Sequence, residues 1–208
     1  MKTIVITGAT SGVGLTCVDH FLNKGWCVIG IARTLKGSKK HKNFHFIKAD
    51  IKKYSDVKLA FDIIKKEFNK IDILINNASI FKTKQFIKFD NAEIDNILDT
   101  NVKGTMYCTL ESIKLMTNES RIINLGSVSG LYGIKNQAVY SASKHAINGF
   151  AESLSQETNI KITTIICISR RGNPARAVPV LLRSKLFSFE LRRDWAPDLG
   201  NSACSSIG

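Results

Sequence analysis

Residues 3–14 read TIVITGATSGVG, a β-branched run that breaks into a glycine-rich turn. The run Thr3–Thr7 predicts a buried strand. The apolar spacing over Val13–Lys24, closed by Gly25, predicts a helix. Glycines let the backbone of such a turn approach a ligand, and the start of the next helix directs N–H groups at a phosphate. The stretch therefore predicts a strand–turn–helix phosphate site, with a plain glycine-rich turn as the alternative.

The same alternation of strand and helix continues along the chain. Further strands are predicted at Cys27–Ala32, Phe44–Lys48, Ile71–Ile75, Arg121–Leu125 and Lys161–Ile168, and further helices at Tyr54–Phe68, Asn91–Asp99, Val102–Met116 and Val139–Thr158. Strands that alternate with helices in this way predict βαβ units and a doubly wound parallel sheet of the α/β class. Ligands bind such sheets beyond the carboxyl ends of the strands.

The pattern stops after the sixth strand. Up to Ile165 the basic residues are almost all lysines, whereas from Ile166 onward they are almost all arginines, and all three prolines lie in this last part. We therefore expect one domain over residues 1–168 and an atypical tail over 169–208, with the final strand of the sheet missing or replaced. The one regular element that the tail indicates is a helix around Pro179–Phe189.

Composition excludes several classes of protein. A chain of 208 residues with 44% hydrophobic content suits one globular domain. It has no apolar run of the length that a membrane span needs, and its first apolar run is too short for a signal peptide. The five cysteines show no CxxC spacing and the four histidines no metal-ligand spacing. We expect a cytoplasmic protein without a metal site.

The net charge of +13 raises the question of nucleic-acid binding. The lysines are dispersed in pairs such as Lys39–Lys40 and Lys52–Lys53, and no aromatic residues interleave with them for base stacking. Solvated faces explain them better, and a positive surface also attracts an anionic cofactor. We therefore expect no nucleic-acid partner, although salt-sensitive binding to nucleic acid would support one.

The end of the second strand indicates which dinucleotide the chain prefers. Dinucleotide folds often carry an acid here that bonds the ribose 2′-hydroxyl, but this sequence has Ala32 followed by Arg33 and Thr34. A guanidinium without a carboxylate favours a 2′-phosphate. NADP(H) is thus predicted over NAD(H), and a solvated arginine is the alternative.

A second motif joins Tyr140 and Lys144 in YSASK. A spacing of four puts both side chains on one helix face. A tyrosine has a pKa of about 10, and a nearby ammonium favours its phenolate form. Such a group can pass a proton to or from a carbonyl or alcohol oxygen. Ser127, predicted just past the fifth strand, could orient the same oxygen.

Together, TGATSGVG, Asn76-Asn77-Ala78 and the Ser127–Tyr140–Lys144 spacing resemble the short-chain dehydrogenase/reductase family over roughly residues 1–168. The resemblance implies a Rossmann-type sheet, NAD(P)(H), and hydride transfer at a carbonyl or alcohol. It also implies a homodimer or homotetramer that pairs the helices Val102–Met116 and Val139–Thr158.

The resemblance assigns roles to individual residues. It implies Tyr140 as acid/base, Lys144 as its activator and holder of the nicotinamide ribose, Ser127 as holder of the substrate oxygen, and Asn101, before the helix at Val102, as part of a proton relay. The implied cofactor-binding residues are Gly8, Thr10, Ser11, Gly12, Val13, Gly14, Arg33, Thr34, Asp50, Ile51, Asn77, Ala78, Ser79, Tyr140 and Lys144. From the residues alone, Asp50 could equally be a helix N-cap and Asn77 could cap a strand end.

Two features depart from the family pattern. Ser79 stands where the family usually has glycine, and the region after Ile168 lacks the Pro-Gly turn and substrate loop. Such a loop commonly excludes water from the site. Two hypotheses follow: an NADP(H)-dependent oxidoreductase, or a dinucleotide-binding protein with weak or no turnover because the substrate loop is replaced.

Overall fold

The computed structural model describes residues 1–35, 41–169 and 177–181. Their helices and strands, in chain order, are β1 (Thr3–Thr7), α1 (Gly12–Asn23), β2 (Cys27–Ala32), β3 (Phe44–Lys48), α2 (Tyr54–Phe68), β4 (Ile73–Asn76), α3 (Asn91–Leu98), α4 (Gly104–Ile113), β5 (Arg121–Ser127), α5 (Ala138–Glu157), β6 (Lys161–Ser169) and β7 (Ala177–Leu181).

All seven strands belong to one sheet, in the order β3-β2-β1-β4-β5-β6-β7. The first six are parallel. The chain winds outward from β1 to β3 and then returns to place β4 on the other side of β1. This reversal is the point where doubly wound sheets open a ligand crevice. The α/β fold class predicted from the sequence is confirmed.

Among the described residues, the last strand of the sheet is β7, which pairs antiparallel with β6 from Ile165↔Leu181 to Ser169↔Ala177. The parallel pattern thus stops at β6, as the sequence indicates. The helix predicted around Pro179–Phe189 is wrong for residues 179–181, which lie in β7, and its remainder lies outside the described residues. So does most of the predicted tail.

Hydrophobic residues cover both faces of the sheet. Every residue of β1 is buried, as expected for a central parallel strand covered on both sides. Successive side chains point to opposite faces. Ile4 and Ile6 therefore pack in the cluster with Val18 of α1, whereas Val5 packs in the cluster with Phe61 of α2. This packing fixes the turn between β1 and α1 at the carboxyl edge of the sheet.

Two site residues lie in different local structure from that predicted. Asn101 does not precede a helix: it lies in a π-helical turn, Asp99–Lys103, that joins α3 and α4 into one continuous helical run. Ser127 is not past the fifth strand but is its last residue, because the ladder between β5 and β6 extends to Ser127↔Cys167. Within the described part of the chain, no helix is both long and apolar enough to cross a membrane.

Candidate active site

The turn after β1 requires glycine at two positions. Gly8 has φ +65°, and a Cβ there would lie 2.8 Å from Asn77 Nδ2. Gly14 lies in the first turn of α1, where a Cβ would stand 2.3 Å from the Gly8 carbonyl oxygen. Contacts this short do not occur with real Cβ atoms, so any side chain would displace the turn or the helix. The glycines therefore allow α1 to begin directly against the turn.

Asn77 and Thr7 fasten this turn to the end of β4. The Asn77 Nδ2 group donates to the Thr7 carbonyl at 2.8 Å and to the Gly8 carbonyl at 3.1 Å. In the other direction, the backbone N–H groups of Asn77 and Ala78 donate to Thr7 Oγ1 at 3.0 and 3.1 Å. The Asn77 side chain thus supports the glycine turn as well as ending the strand.

A cavity of about 200 Å³ opens beside the turn at the carboxyl ends of β1, β2 and β4. Nine of the predicted cofactor-binding residues line it: Gly8, Thr10, Ser11, Arg33, Thr34, Asp50, Ile51, Ala78 and Ser79. The lining does not include Gly12, Val13, Gly14, Asn77, Tyr140 or Lys144. It does include residues that the sequence analysis did not assign to the cofactor: Ile31, Ala32, Ala49, Ile80 and Thr100.

The residues of this cavity suit a dinucleotide. Ser11 is the N-cap residue of α1, and its side chain makes no capping hydrogen bond to the helix. The first N–H groups of an α-helix have no partner within the helix, so they are available to a phosphate. Farther along the lining, Arg33 and Thr34 follow β2 as exposed residues that can meet a second phosphate.

Asp50 shapes the opposite side of the cavity through local hydrogen bonds. Its Oδ1 accepts from the Lys52 N–H at 3.1 Å, and its own N–H donates to Asp56 Oδ2 at 3.1 Å. The N-cap of α2 is Lys53, so the alternative of Asp50 as that N-cap is wrong. The carboxylate stabilises the turn between β3 and α2 and also lines the cavity.

Tyr140 and Lys144 lie on the first turns of α5, and Tyr140 is partly buried. Lys144 is only 5% exposed, and its Nζ lies 5.7 Å from the centroid of the Tyr140 ring. The ammonium also donates to the Leu125 carbonyl of β5 at 2.8 Å. A buried ammonium requires such partners. These contacts hold the two side chains at a fixed separation, and the positive charge of Lys144 faces the Tyr140 ring.

Ser127 ends β5 on the segment that packs against α5. Its Oγ accepts from the Ser129 N–H at 3.2 Å, and the Ser129 hydroxyl donates to Gln137 Oε1 at 2.7 Å. A Cβ on Gly130 would lie 3.0 Å from the Lys144 carbonyl oxygen, so this segment touches the α5 backbone. These contacts bring Ser127 to the end of the sheet where Lys144 is anchored.

Asn101 connects three parts of the site. Its Oδ1 accepts from the Ile80 N–H at 2.7 Å, and its Nδ2 donates to the Ile80 carbonyl at 2.9 Å and to Ser143 Oγ at 3.1 Å. The Ser143 hydroxyl donates in turn to the Tyr140 carbonyl at 2.7 Å. The π-helical turn, a feature frequent at functional sites, thereby links the loop after β4 to α5.

Other reactive side chains do not join this site. Among the residues that the structure describes, no group of histidine, cysteine, aspartate and glutamate has the arrangement of a metal site. Burial raises the pKa of the Cys108 thiol to about 12, so it remains protonated and unreactive.

Fold and cavity together define a doubly wound α/β protein with a crevice at the switch point of its sheet. A tyrosine–lysine pair on α5 is linked to the crevice residue Ile80 through Phe81. The family described as short chain dehydrogenase matches residues 2–170 of the sequence. The chain therefore belongs to the short-chain dehydrogenase/reductase family, whose members are NAD(P)-dependent oxidoreductases.

Several individual proteins are similar to this chain. Farnesol dehydrogenase of Aedes aegypti is 30% identical over 79% of the chain and 75% of its own length. A 3alpha-hydroxysteroid dehydrogenase of Mediterraneibacter gnavus is 27% identical over 97% of the chain and 87% of its own length. A 3-oxoacyl-(acyl-carrier-protein) reductase of Buchnera aphidicola subsp. Schizaphis graminum is 34% identical over 81% of the chain and 72% of its own length.

Solved structures are similar as well. A short chain dehydrogenase family protein of Francisella tularensis is 30% identical with a TM-score of 0.70, and the match covers 76% of this chain and 64% of that one. The ligand-free aldohexose dehydrogenase of Thermoplasma acidophilum is 27% identical with a TM-score of 0.72, covering 80% of this chain and 66% of that one. The match thus spans slightly less than two thirds of both solved proteins.

Proposed function

We propose that this protein is an NADP(H)-dependent oxidoreductase that transfers a hydride between nicotinamide and a carbonyl or alcohol substrate. The observation that carries the proposal is the Tyr140–Lys144 pair, a buried ammonium 5.7 Å from the centroid of a tyrosine ring. Phe81, which packs on that ring, directly follows Ile80, a residue that lines the crevice. The nicotinamide of the bound cofactor supplies the hydride. The domain that holds this apparatus is residues 1–168, followed by the tail 169–208.

The protein's own groups handle the substrate oxygen. Tyr140 donates its hydroxyl proton to that oxygen during reduction and takes it back during oxidation. The ammonium of Lys144 favours the resulting phenolate by its positive charge. The Ser127 hydroxyl holds the substrate oxygen in line with Tyr140. Asn101 belongs to the proton relay and, through Ser143, keeps the start of α5 in place.

We assign cofactor binding to the residues of the crevice and of the turn beside it. Gly8, Thr10 and Ser11 of the crevice, together with Gly12, Val13 and Gly14 at the start of α1, would hold the pyrophosphate, because the first N–H groups of a helix favour an anion. Asp50 and Ile51 would contact the adenine. Asn77, Ala78 and Ser79 would support the middle of the cofactor, and Tyr140 and Lys144 would hold the nicotinamide ribose.

NADP(H) is preferred over NAD(H) because of the residues that follow β2. Arg33 and Thr34 line the crevice at the position where an acid would bond a ribose 2′-hydroxyl, and Ala32 offers no carboxylate. A guanidinium matches the 2′-phosphate of NADP(H). NAD(H) remains a possible cofactor of lower affinity.

The relatives support the substrate class that we propose. Farnesol dehydrogenase, the hydroxysteroid dehydrogenase and the 3-oxoacyl reductase all react at an alcohol or carbonyl carbon of a small molecule or of a carried acyl group. We propose a carbonyl or alcohol compound as the substrate here too, and no nucleic acid as a partner.

A homodimer or homotetramer through α4 and α5 is consistent with the exposed Leu110 on α4. The buried thiols of Cys27 and Cys108 support a cytoplasmic location.

One observation favours a second function. The family match stops at residue 170, although the chain continues to residue 208. A family member whose substrate loop is replaced would bind the dinucleotide and turn over substrate slowly or not at all.

A titration with both cofactors separates these functions. NADPH and NADH are titrated into the purified protein, and oxidation is then followed with a panel of ketones and 3-oxoacyl thioesters. The oxidoreductase predicts tighter binding of NADPH together with turnover. Binding without turnover on any substrate favours the second function, and no binding of either cofactor contradicts both.

A further inference from the structure

Two segments, residues 81–87 and 132–134, carry exposed apolar side chains, and Phe81 on the first of them contacts Tyr140. Among the described residues, five of the eleven large hydrophobic residues that are exposed lie on these segments. We name these five the apolar rim: Phe81, Phe86, Ile87, Tyr132 and Ile134. Single exposed apolar residues are normal on a soluble protein, so the contact of Phe81 with Tyr140 is what distinguishes this residue.

Phe81 connects the rim to the reacting hydroxyl. Its ring is 60% exposed and packs edge-to-face on the Tyr140 ring, with the centroids 4.9 Å apart and the planes at 83°. Phe81 therefore lies next to the ring that carries the acid/base group, while most of its own surface still faces solvent. A substrate whose oxygen reaches Tyr140 can cover that surface.

Hydrogen bonds fix Phe81 in this position before any ligand binds. Asn101 holds both backbone groups of the preceding residue, Ile80, at 2.7 and 2.9 Å. Three residues after Phe81, the Lys84 N–H donates to the Asn136 carbonyl at 2.8 Å and so ties the two rim segments together. The side chains of Lys82 and Lys84 both pair with Glu93 of α3. The segment that carries Phe81 is thus preorganised, which reduces the conformational entropy lost when a ligand binds.

We propose that Phe81 is a specificity-determining residue that selects carbonyl or alcohol substrates with a bulky apolar group close to the reacting carbon. The inference rests on the proposed role of Tyr140 as acid/base. An aromatic or long alkyl group gains affinity by covering the Phe81 ring, whereas a small ketone leaves that ring in water.

The test compares two methyl ketones, benzylacetone and butanone, as substrates for NADPH-dependent reduction. For Phe81→Ala we expect KM for benzylacetone to rise about tenfold with kcat nearly unchanged, and KM for butanone to stay within about twofold. Phe81→Leu, which keeps an apolar side chain, should recover part of the loss. Leu59→Ala is the matched control, because Leu59 is 64% exposed on α2 and lies outside the rim.

Equal losses on both ketones would overturn the inference, since they indicate a structural role, and so would an unchanged KM for benzylacetone. If the wild-type chain binds NADPH but reduces neither ketone, the proposed activity is wrong. The role of Phe81 is then tested by the binding of benzylacetone alone. Benzylacetone affinity for the NADPH-loaded protein is then measured by ligand-observed NMR. A benzylacetone affinity about tenfold lower in Phe81→Ala but unchanged in Leu59→Ala supports Phe81 as the specificity-determining residue. Equal affinities of the wild type and Phe81→Ala would overturn the inference.

Discussion

Replacing Arg33 by alanine tests how this protein distinguishes its two cofactors. Arg33 lines the crevice directly after β2, and the substitution removes the guanidinium without touching the glycine turn. A hydrogen bond to a charged partner contributes about 1.5–3 kcal/mol. Because Arg33 is exposed, solvent screening reduces this to about 1–2 kcal/mol. The dissociation constant for NADPH should therefore rise about 5- to 30-fold.

NADH has a hydroxyl where NADPH has the 2′-phosphate, so its affinity for Arg33→Ala should change by less than about twofold. The assay is a fluorescence titration of the wild type and the variant with each cofactor. Arg121→Ala is the matched control. Arg121 is also exposed but begins β5, at the amino end of the strands, away from the crevice.

Both substitutions lower the net charge of +13 by the same amount. Arg121→Ala should therefore reproduce any general effect of the positive surface on an anionic ligand, and nothing more. Equal losses of NADPH and NADH in Arg33→Ala would refute a 2′-phosphate contact. So would an equal loss of NADPH affinity in Arg121→Ala, because the cause would then be overall charge.

Two further substitutions test the supports of the site. Gly14→Ala places a Cβ 2.3 Å from the Gly8 carbonyl oxygen, so chemical denaturation should show about 2 kcal/mol less stability together with weaker NADPH binding. Gly149→Ala, where a Cβ meets open space on α5, should leave NADPH binding unchanged and raise stability by up to about 1 kcal/mol, because alanine favours a helix over glycine; equal behaviour of the two variants would contradict the close-contact explanation. Hydrogen bonds from Lys82 and Lys84 hold the pKa of Glu93 at about 2, below its usual 4.5. The ion pairs of Glu93 therefore stabilise the fold fully above pH 4.5, and this stabilisation is lost as the pH falls towards 2. Over this pH range the unfolding midpoint should fall less steeply for Glu93→Gln than for the wild type. Midpoints that fall in parallel for the two proteins would contradict the ion pairs.

Most of the fold could be predicted from local sequence patterns. The buried run Thr3–Thr7 and the glycines after it predict the first strand, turn and helix because each feature depends on residues close in sequence. Repetition of that unit predicts a parallel sheet, since parallel strands need such crossovers. The crevice at the carboxyl ends of β1 and β2 then follows from the topology.

Features that depend on distant contacts could not be predicted. The π-helical turn at Asn101 inserts an extra residue into a helical run, and nothing in a 3.6-residue pattern marks where it falls. Ile80 and Thr100 reach the crevice only after folding brings their segments together. The strand Ala177–Leu181 contains Pro179, and a proline within a sequence argues against a central strand. The proline is tolerated here because β7 is the edge strand among the described residues.

The most direct test of the proposed chemistry is the steady-state rate of Tyr140→Phe with NADPH and a ketone that the wild type reduces, measured together with the NADPH dissociation constant. We predict a fall in kcat of about 10²- to 10⁴-fold, because the transferable proton is gone. NADPH affinity should fall by no more than about tenfold, since one neutral hydrogen bond to the cofactor is removed while the Lys144 contact remains. Tyr107→Phe on α4, whose ring packs against Tyr54, should keep the wild-type rate. A wild-type rate in Tyr140→Phe would contradict its role as the acid/base.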